Sequence, residues 1–361
     1  MKIHRITKQF VLLPALICSM ASCSNGDMVP QQTQGDFVSF AEPKVKLTAT
    51  QTRAVVEGSE LPNSSSFGVL GYCLAYTAGT TNLDANTGPR TWYTKRTLAV
   101  PHVFRNLQVT KNGATCTYTA VKGTTTQQDV KNGLVAWYPQ NDYRYTFMAY
   151  YPYSGWSVPA INKTGEPAIS YSLSDISNNP DLMVDSKVDM MRGAGSVKFE
   201  FKHLMTGLVL KINNYDSGKQ LNISQLEISG TFHKKVSIST DLNPVVSETF
   251  PDSHSFGSQA VPASSSKELA PLLFLPKPQS PGVNNIGSDI KISISYTSLQ
   301  DGVNRTQVIP FPDWTSFNPQ PGFMYTLQLT FKGDALLLDI IDANNGLWEG
   351  SSSVDSDITF S

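Results

Sequence analysis

Charge is scarce in this chain. Only 16% of its 361 residues are charged, and 28 Lys+Arg against 29 Asp+Glu leave a formal net charge of −1. An average globular domain carries about 25% charged residues. A chain this neutral has no global field for nucleic acid or for an anionic lipid surface, so nucleic acid is not an expected partner. Helical signals are missing as well. No window rich in Ala, Glu and Lys repeats with a helical period, which disfavours a coiled coil or a helical bundle. Catalytic and metal-binding motifs are equally short. His4, His102, His203, His233 and His254 have no metal-ligand spacing, and His-Glu-x-x-His, Gly-x-Ser-x-Gly and Cys-x-x-Cys do not occur. Gly218-Lys219 lacks the upstream glycine of a phosphate loop, because position 213 is Asn213. Asp342-Ala343-Asn344-Asn345-Gly346 has its glycine one place too early for a calcium loop and reads as a turn. No cofactor, no metal and no enzymatic activity are expected. A carboxylate-pair glycosidase needs no short motif, so it is disfavoured and not closed.

What is present points to β-structure outside the cytoplasm. Hydrophobic residues make up 40%, with 25 Gly and 22 Pro among many Ser, Thr and Asn. That is enough apolar material for real cores, and the length suits two domains. Lys2, Arg5 and Lys8 precede an apolar stretch from Phe10 to Ile17. This stretch is too short to span a bilayer and has signal-peptide proportions. Ala21-Ser22-Cys23 follows, two small residues before a cysteine, as at a lipoprotein cleavage site. The expectation is a lipoprotein signal at 1–22 with acylation at Cys23; ordinary secretion with cleavage after Ala21 is the rival. Cys73 and Cys116 remain in the mature chain, either as a disulfide or as two free thiols in strands.

Residues 24–35 read as a polar tether. Val45, Leu47 and Ala49 then alternate with Lys44, Lys46 and Thr48, a half-buried strand ending near Thr52-Arg53-Ala54. Phe67 to Tyr76 and Tyr145 to Pro152 are apolar or aromatic strands. The aromatic crowding at 137–156 reads as sandwich core, or as a sugar-binding platform. Cleaner alternation follows in Val197/Phe199/Phe201, Leu208/Leu210/Ile212, Ile290/Ile292/Ile294/Tyr296 and Phe323/Tyr325/Leu327/Leu329/Phe331. Period-2 patterns of this length mark antiparallel strands with one face on a core. The expected fold is all-β: two β-sandwiches in tandem, one over 54–188 and one over 189–361, after a tether and first strand at 23–53. In the tail, Val354, Ile358 and Phe360 stand opposite Asp355, Asp357 and Thr359. His203, at the end of a strand, reads as a hydrogen-bonded structural residue.

These motifs fall in one order over nearly the whole mature chain. The lipobox ends at Cys23 and a strand ends in Thr52-Arg53-Ala54. Phe67-Gly68-Val69 and Ala149-Tyr150-Tyr151-Pro152 follow. Asp181-Leu182-Met183 leads to Val197-x-Phe199-x-Phe201-Lys202-His203, then Gly322-x-x-Tyr325-x-Leu327-x-Leu329 and Trp348. The order resembles the fimbrillin family, the lipoprotein type V pilins of Bacteroidales. The resemblance implies two transthyretin-like β-sandwich domains, anchoring in the cell outer membrane through lipid, and polymerisation into a surface-exposed fimbria. Expected partners are other fimbrial subunits and a host or bacterial surface receptor. It further implies cleavage by an arginine-specific protease between Arg53 and Ala54, removing the strand that holds Val45, Leu47 and Ala49. A neighbour's C-terminal strand then fills the groove, for which Val354, Ile358 and Phe360 are the candidate here. The tail's other reading is a final edge strand of its own domain. The rival function is a monomeric surface lipoprotein that binds glycans through Trp92, Trp137 or Trp156.

Overall fold

The alternating segments fold as strands, each with its apolar set turned to a core. The computed structural model describes residues 37–45, 60–75, 92–93, 96–99, 103–121, 130–137, 143–160, 163, 165–276, 289–310, 319–333, 335–342 and 358–359. A first sheet runs in the order Lys44–Val45, Glu200–His203, Met183–Met190, Tyr143–Tyr151, Ser66–Ala75, Phe104–Asn112, Thr115–Tyr118. Lys44–Val45 pairs in parallel with Glu200 and Phe201; the other neighbours are antiparallel.

Two further sheets face each other across a second half of the molecule. One is built on Thr206–Asn214, which pairs in parallel with Met324–Lys332 and antiparallel with Ser265–Glu268 and Leu272–Phe274. Ala335–Asp342 extends it, and Ile358–Thr359 forms its outer edge. The other is built on the long strand Leu221–Ser239, flanked by Lys291–Thr297, Val245–Ser255, Gln259–Val261 and Ala168–Ser172. Leu208, Leu210, Ile212, Leu327, Leu329 and Phe331 from one sheet meet Ile223, Ile228, Ile292, Ile294 and Tyr296 from the other in one buried cluster. This is the layer architecture that period-2 patterning produces.

The first sheet is buried on both faces. Phe67, Val69, Phe147 and Ala149 enter one cluster with Phe199 and Phe201. Their chain neighbours Leu70, Tyr72, Met148 and Tyr150 enter another, with Ile169, Val236, Ile238, Leu273 and Met324. Sheet membership also crosses residue 188 in both directions. Glu200–His203 belongs to the first sheet, and Ala168–Ser172 pairs with Leu221–Ser239. A sequence boundary drawn on composition does not register this, because pairing follows the apolar face of each strand and not its place in the chain.

Gly68 shows how tightly the first sheet is built. It pairs with Tyr150 across the ladder, and a Cβ at this position would stand 2.1 Å from the Tyr150 ring. The ring is fully buried, and the Tyr150 hydroxyl donates to Asn106 Oδ1 at 2.6 Å. Asn106 itself sits at φ 51° in a bulge, a conformation asparagine tolerates. Gly68→Ala is therefore expected to lower stability by roughly 1–3 kcal/mol or more by overpacking. Urea denaturation followed by near-ultraviolet circular dichroism would measure it.

Candidate functional site

The most informative site is the seat of the first described segment, residues 37–45. Val38, Phe40 and Val45 are 1%, 4% and 3% exposed, while Lys44 is exposed. On one side, the Ala41 N–H donates to Val197 O at 2.9 Å, the Val197 N–H to Ser39 O at 2.8 Å, and the Lys44 N–H to Phe199 O at 2.9 Å. On the other side, the Val38 N–H donates to Val135 O at 2.9 Å. The Tyr118 hydroxyl reaches Val38 O at 2.7 Å, and the Trp137 indole N–H reaches Phe37 O at 2.9 Å. The segment thus lies between the 197–200 run on one side and residues 135–137 on the other, and closes one core of the first sheet.

Phe40 is the centre of that closure. Its ring stacks on Phe199 at 5.9 Å between centroids and meets Phe104, Tyr118 and Phe147 at 5.9, 5.5 and 6.2 Å. Pairing Phe40 with Val197 and Lys44 with Glu200 leaves one extra residue in the segment. This bulge puts Pro43 and Val45 on the buried side after Val38 and Phe40. It also presents Glu42 to Lys111.

A closed ring of alternating charge results. Lys111 Nζ lies 3.0 Å from Glu42 and 3.1 Å from Glu60; Lys44 Nζ lies 2.6 Å from Glu60 and 3.4 Å from Glu42. Lys111 is only 5% exposed. Desolvation lowers its pKa, and the hydrogen bonds it donates to Glu42 and Glu60, with their charges, more than reverse this, for a net rise. Hydrogen bonds from Lys44 and Lys111 hold Glu60 down at about 2, from an ordinary 4.5. A depressed carboxylate stabilises the fold above its ordinary pKa and loses that contribution as pH falls through the folded value. Acidification from pH 4.5 toward 2 should therefore loosen the segment. Amide exchange at Ala41 and Lys44, corrected for intrinsic rates, is expected to accelerate over that window, and Glu60→Gln should remove the pH dependence.

Among the residues singled out in the sequence, Val45 is buried in this seat, in the short strand Lys44–Val45. Leu47, Ala49, Arg53, Ala54, Cys23, Val354 and Phe360 lie outside the described residues. Sequence reasoning missed Val38, Phe40 and Pro43, which it assigned to no strand, and Lys111. Ile358 and Thr359 pair with Leu338 and Leu337 at the outer edge of a sheet. Cys73 and Cys116 are free cysteines, so the disulfide alternative does not hold. Burial pushes Cys73 up to about 12 and Cys116 to about 11, which keeps both as thiols. Cys73 belongs to the first core, and Cys116 stands opposite Lys111 across its ladder. Trp92, Trp137 and Trp156 are 0%, 5% and 9% exposed. They form core and not a platform. His203 is likewise buried, with Nδ1 2.9 Å from Asp181 Oδ1. Among the described residues no cluster of His, Cys, Asp and Glu could hold a metal ion.

A β-sandwich protein closed by an N-terminal segment between two open edges is the class that this geometry defines. Comparison with known proteins agrees. The fimbrillin-like family profile matches residues 44–348, and the chain belongs to that family. A solved fimbrial protein from Bacteroides vulgatus aligns with 89% of this chain and 100% of its own, at 17% identity and a TM-score of 0.52, which shows a shared fold. A protein from Bacteroides ovatus, named for a suspected role in cell adhesion, aligns with 88% of this chain and 99% of its own, at 16% identity and 0.48. The truncated tip fimbrial protein Mfa3 from Porphyromonas gingivalis aligns with 77% of this chain and 93% of its own, at 9% identity and 0.34. No curated protein sequence matches. Membership of the fimbrillin-like family makes the chain a fimbrial-type subunit, a structural protein in kind.

Proposed function

We propose that this subunit is exported as a lipoprotein acylated at Cys23, reaches the outer membrane surface, and polymerises by exchanging strands after cleavage between Arg53 and Ala54. The observation that carries this reading is the placement of residues 37–45. They lie upstream of Arg53 and supply Val38, Phe40 and Val45 to a core whose other members lie downstream of it. Their departure would uncover Phe104, Phe147 and Phe199 and leave Val135 O, Val197 O and the Val197 N–H without their present partners. Such an edge is costly and templates the addition of a strand. Each backbone hydrogen bond it regains contributes roughly 0.5–1.5 kcal/mol, and each buried aliphatic or aromatic side chain roughly 1.5–3 kcal/mol.

The tail is suited to supply that strand. Among the described residues, Ile358 and Thr359 pair with Leu338 and Leu337 at the edge of their own sheet. Few ladder bonds oppose their transfer to a neighbour. Val354, Ile358 and Phe360 would then fill positions of the kind Val38, Phe40 and Val45 occupy. Replacing Arg53 by Ala is expected to leave a folded, unprocessed precursor that forms no ladder of denaturant-resistant species. Polymer from Arg53→Ala protein in the presence of an arginine-specific protease would overturn this reading.

A further inference from the structure

We propose that the groove under residues 37–45 selects an incoming strand by charge: it accepts one with a carboxylate two residues after its aromatic anchor and rejects one with a basic residue there. The inference deepens the function just proposed and rests on the release of that segment.

The argument starts from who owns the charges. Glu42 and Lys44 lie on the segment; Glu60 and Lys111 stay with the body. Cleavage after Arg53 therefore takes away a neutral half of the ring and leaves a neutral half behind. Release costs no net charge, but it halves the partners of Lys111. The ammonium has three donors, and it sits on the strand Phe104–Asn112 with only 5% of the residue exposed. Any strand that refills the groove covers it again. An apolar or amide side chain in the place of Glu42 buries that ammonium with Glu60 alone. A basic side chain sets two cations against each other beside a Lys111 that is itself largely covered. A carboxylate restores the ring, and charge-assisted hydrogen bonds are the strong kind.

Position is fixed as well as charge. The pocket of Phe104, Tyr118, Phe147 and Phe199 seats an aromatic ring. Lys111 lies where the residue two places further along the strand emerges from the bulge. The two features together recognise an aromatic-x-acid pattern, as in Phe40-Ala41-Glu42. The stretch Val354-Asp355-Ser356-Asp357-Ile358-Thr359-Phe360 has no acid two places after an aromatic, so the preferred occupant is an acidic-aromatic strand from a subunit of a different kind.

The test uses the full chain cut after Arg53 and cleared of its N-terminal fragment by size exclusion. Labelled peptides spanning residues 37–45 are titrated by fluorescence anisotropy: the native sequence, Glu42→Gln and Glu42→Lys. The native peptide is expected to bind, the Gln peptide about tenfold or more weakly, and the Lys peptide more weakly still. In Lys111→Glu protein the order of Glu and Lys peptides should invert. Lys111→Met, a neutral replacement of similar length, should bind Glu and Gln peptides alike, and it serves where the charge reversal does not fold. Equal binding of all three peptides to native cut protein overturns the charge rule and leaves the groove intact. Release of the fragment with no peptide binding overturns it too. A fragment that stays on the cut body through size exclusion overturns the removal of the segment, and the selection rule with it.

Discussion

Phe40→Ala is expected to destabilise the uncut precursor by about 3–5 kcal/mol, the usual cost of emptying a buried aromatic site. The ring is 4% exposed and touches Phe104, Tyr118, Phe147 and Phe199, rings held by three different strands and by the 197–199 segment. Those strands cannot all collapse inward without breaking their ladders, so the cavity persists. The same substitution should have almost no effect on protein that has been cut after Arg53 and has lost its first segment, because Phe40 leaves with it. Guanidinium titrations of cut and uncut protein, monitored by intrinsic fluorescence, separate the two cases. The buried Trp137, whose indole N–H donates to Phe37 O, lies beside the segment and reports its departure. An equal loss of stability in both forms would mean that the segment stays in place after cleavage.

Deleting residues 354–361 is expected to abolish chain extension while leaving an exported, folded subunit. The expectation follows from how little holds the described part of the tail: backbone pairing of Ile358 with Leu338 and of Thr359 with Leu337, at the outer edge of the sheet. The core beneath that edge is closed by Leu336 and Leu338, which are each 1% exposed and remain after the deletion. The truncated subunit keeps its groove, so it should accept a strand and offer none. Mixed with native subunits it should shorten polymers in proportion to its share, as read by electrophoresis without heating. Polymers of native length would show that the strand comes from elsewhere. A truncated protein that fails to fold would assign the tail to its own sheet.

How legible the molecule is in its sequence depends on the range of the forces involved. The strands of the second half were readable because each carries its own period. Ile292, Ile294 and Tyr296 need only one buried face to be recognised, and so do Leu327, Leu329 and Phe331. The first segment was half readable. Phe37-Val38-Ser39-Phe40 alternates over too few residues to stand out beside Asp36 and Pro43, and the bulge at 41–43 breaks phase with Val45. Those two short runs, taken as one strand with an inserted residue, were the available signal. Lys111 could not be read at all. Two residues after Val109, it falls on the core face of its strand, where a lysine is not expected, and only Glu42 and Glu60, distant in the chain, make burial tolerable. The aromatic crowding at 137–156 left core and platform both open, because an indole side chain looks the same in a sequence whether its face meets sugar or Tyr145, which crosses Trp137 at 4.5 Å.

The cluster that joins Met148 and Tyr150 to Ile169, Val236 and Met324 bears on how such subunits diversify. A gene whose product folds as independent beads can exchange one bead for another by recombination. Here a crossover near residue 188 would part Ala168–Ser172 from the partner strand Leu221–Ser239, and would set one parent's Tyr150 layer against the other's Val236 layer. Hybrids of that kind inherit mismatched volumes in a close-packed interior. Variation is cheaper at exposed positions such as Tyr215, Val245, Val303 and Val308, where a substitution alters what the surface presents and leaves the interior alone.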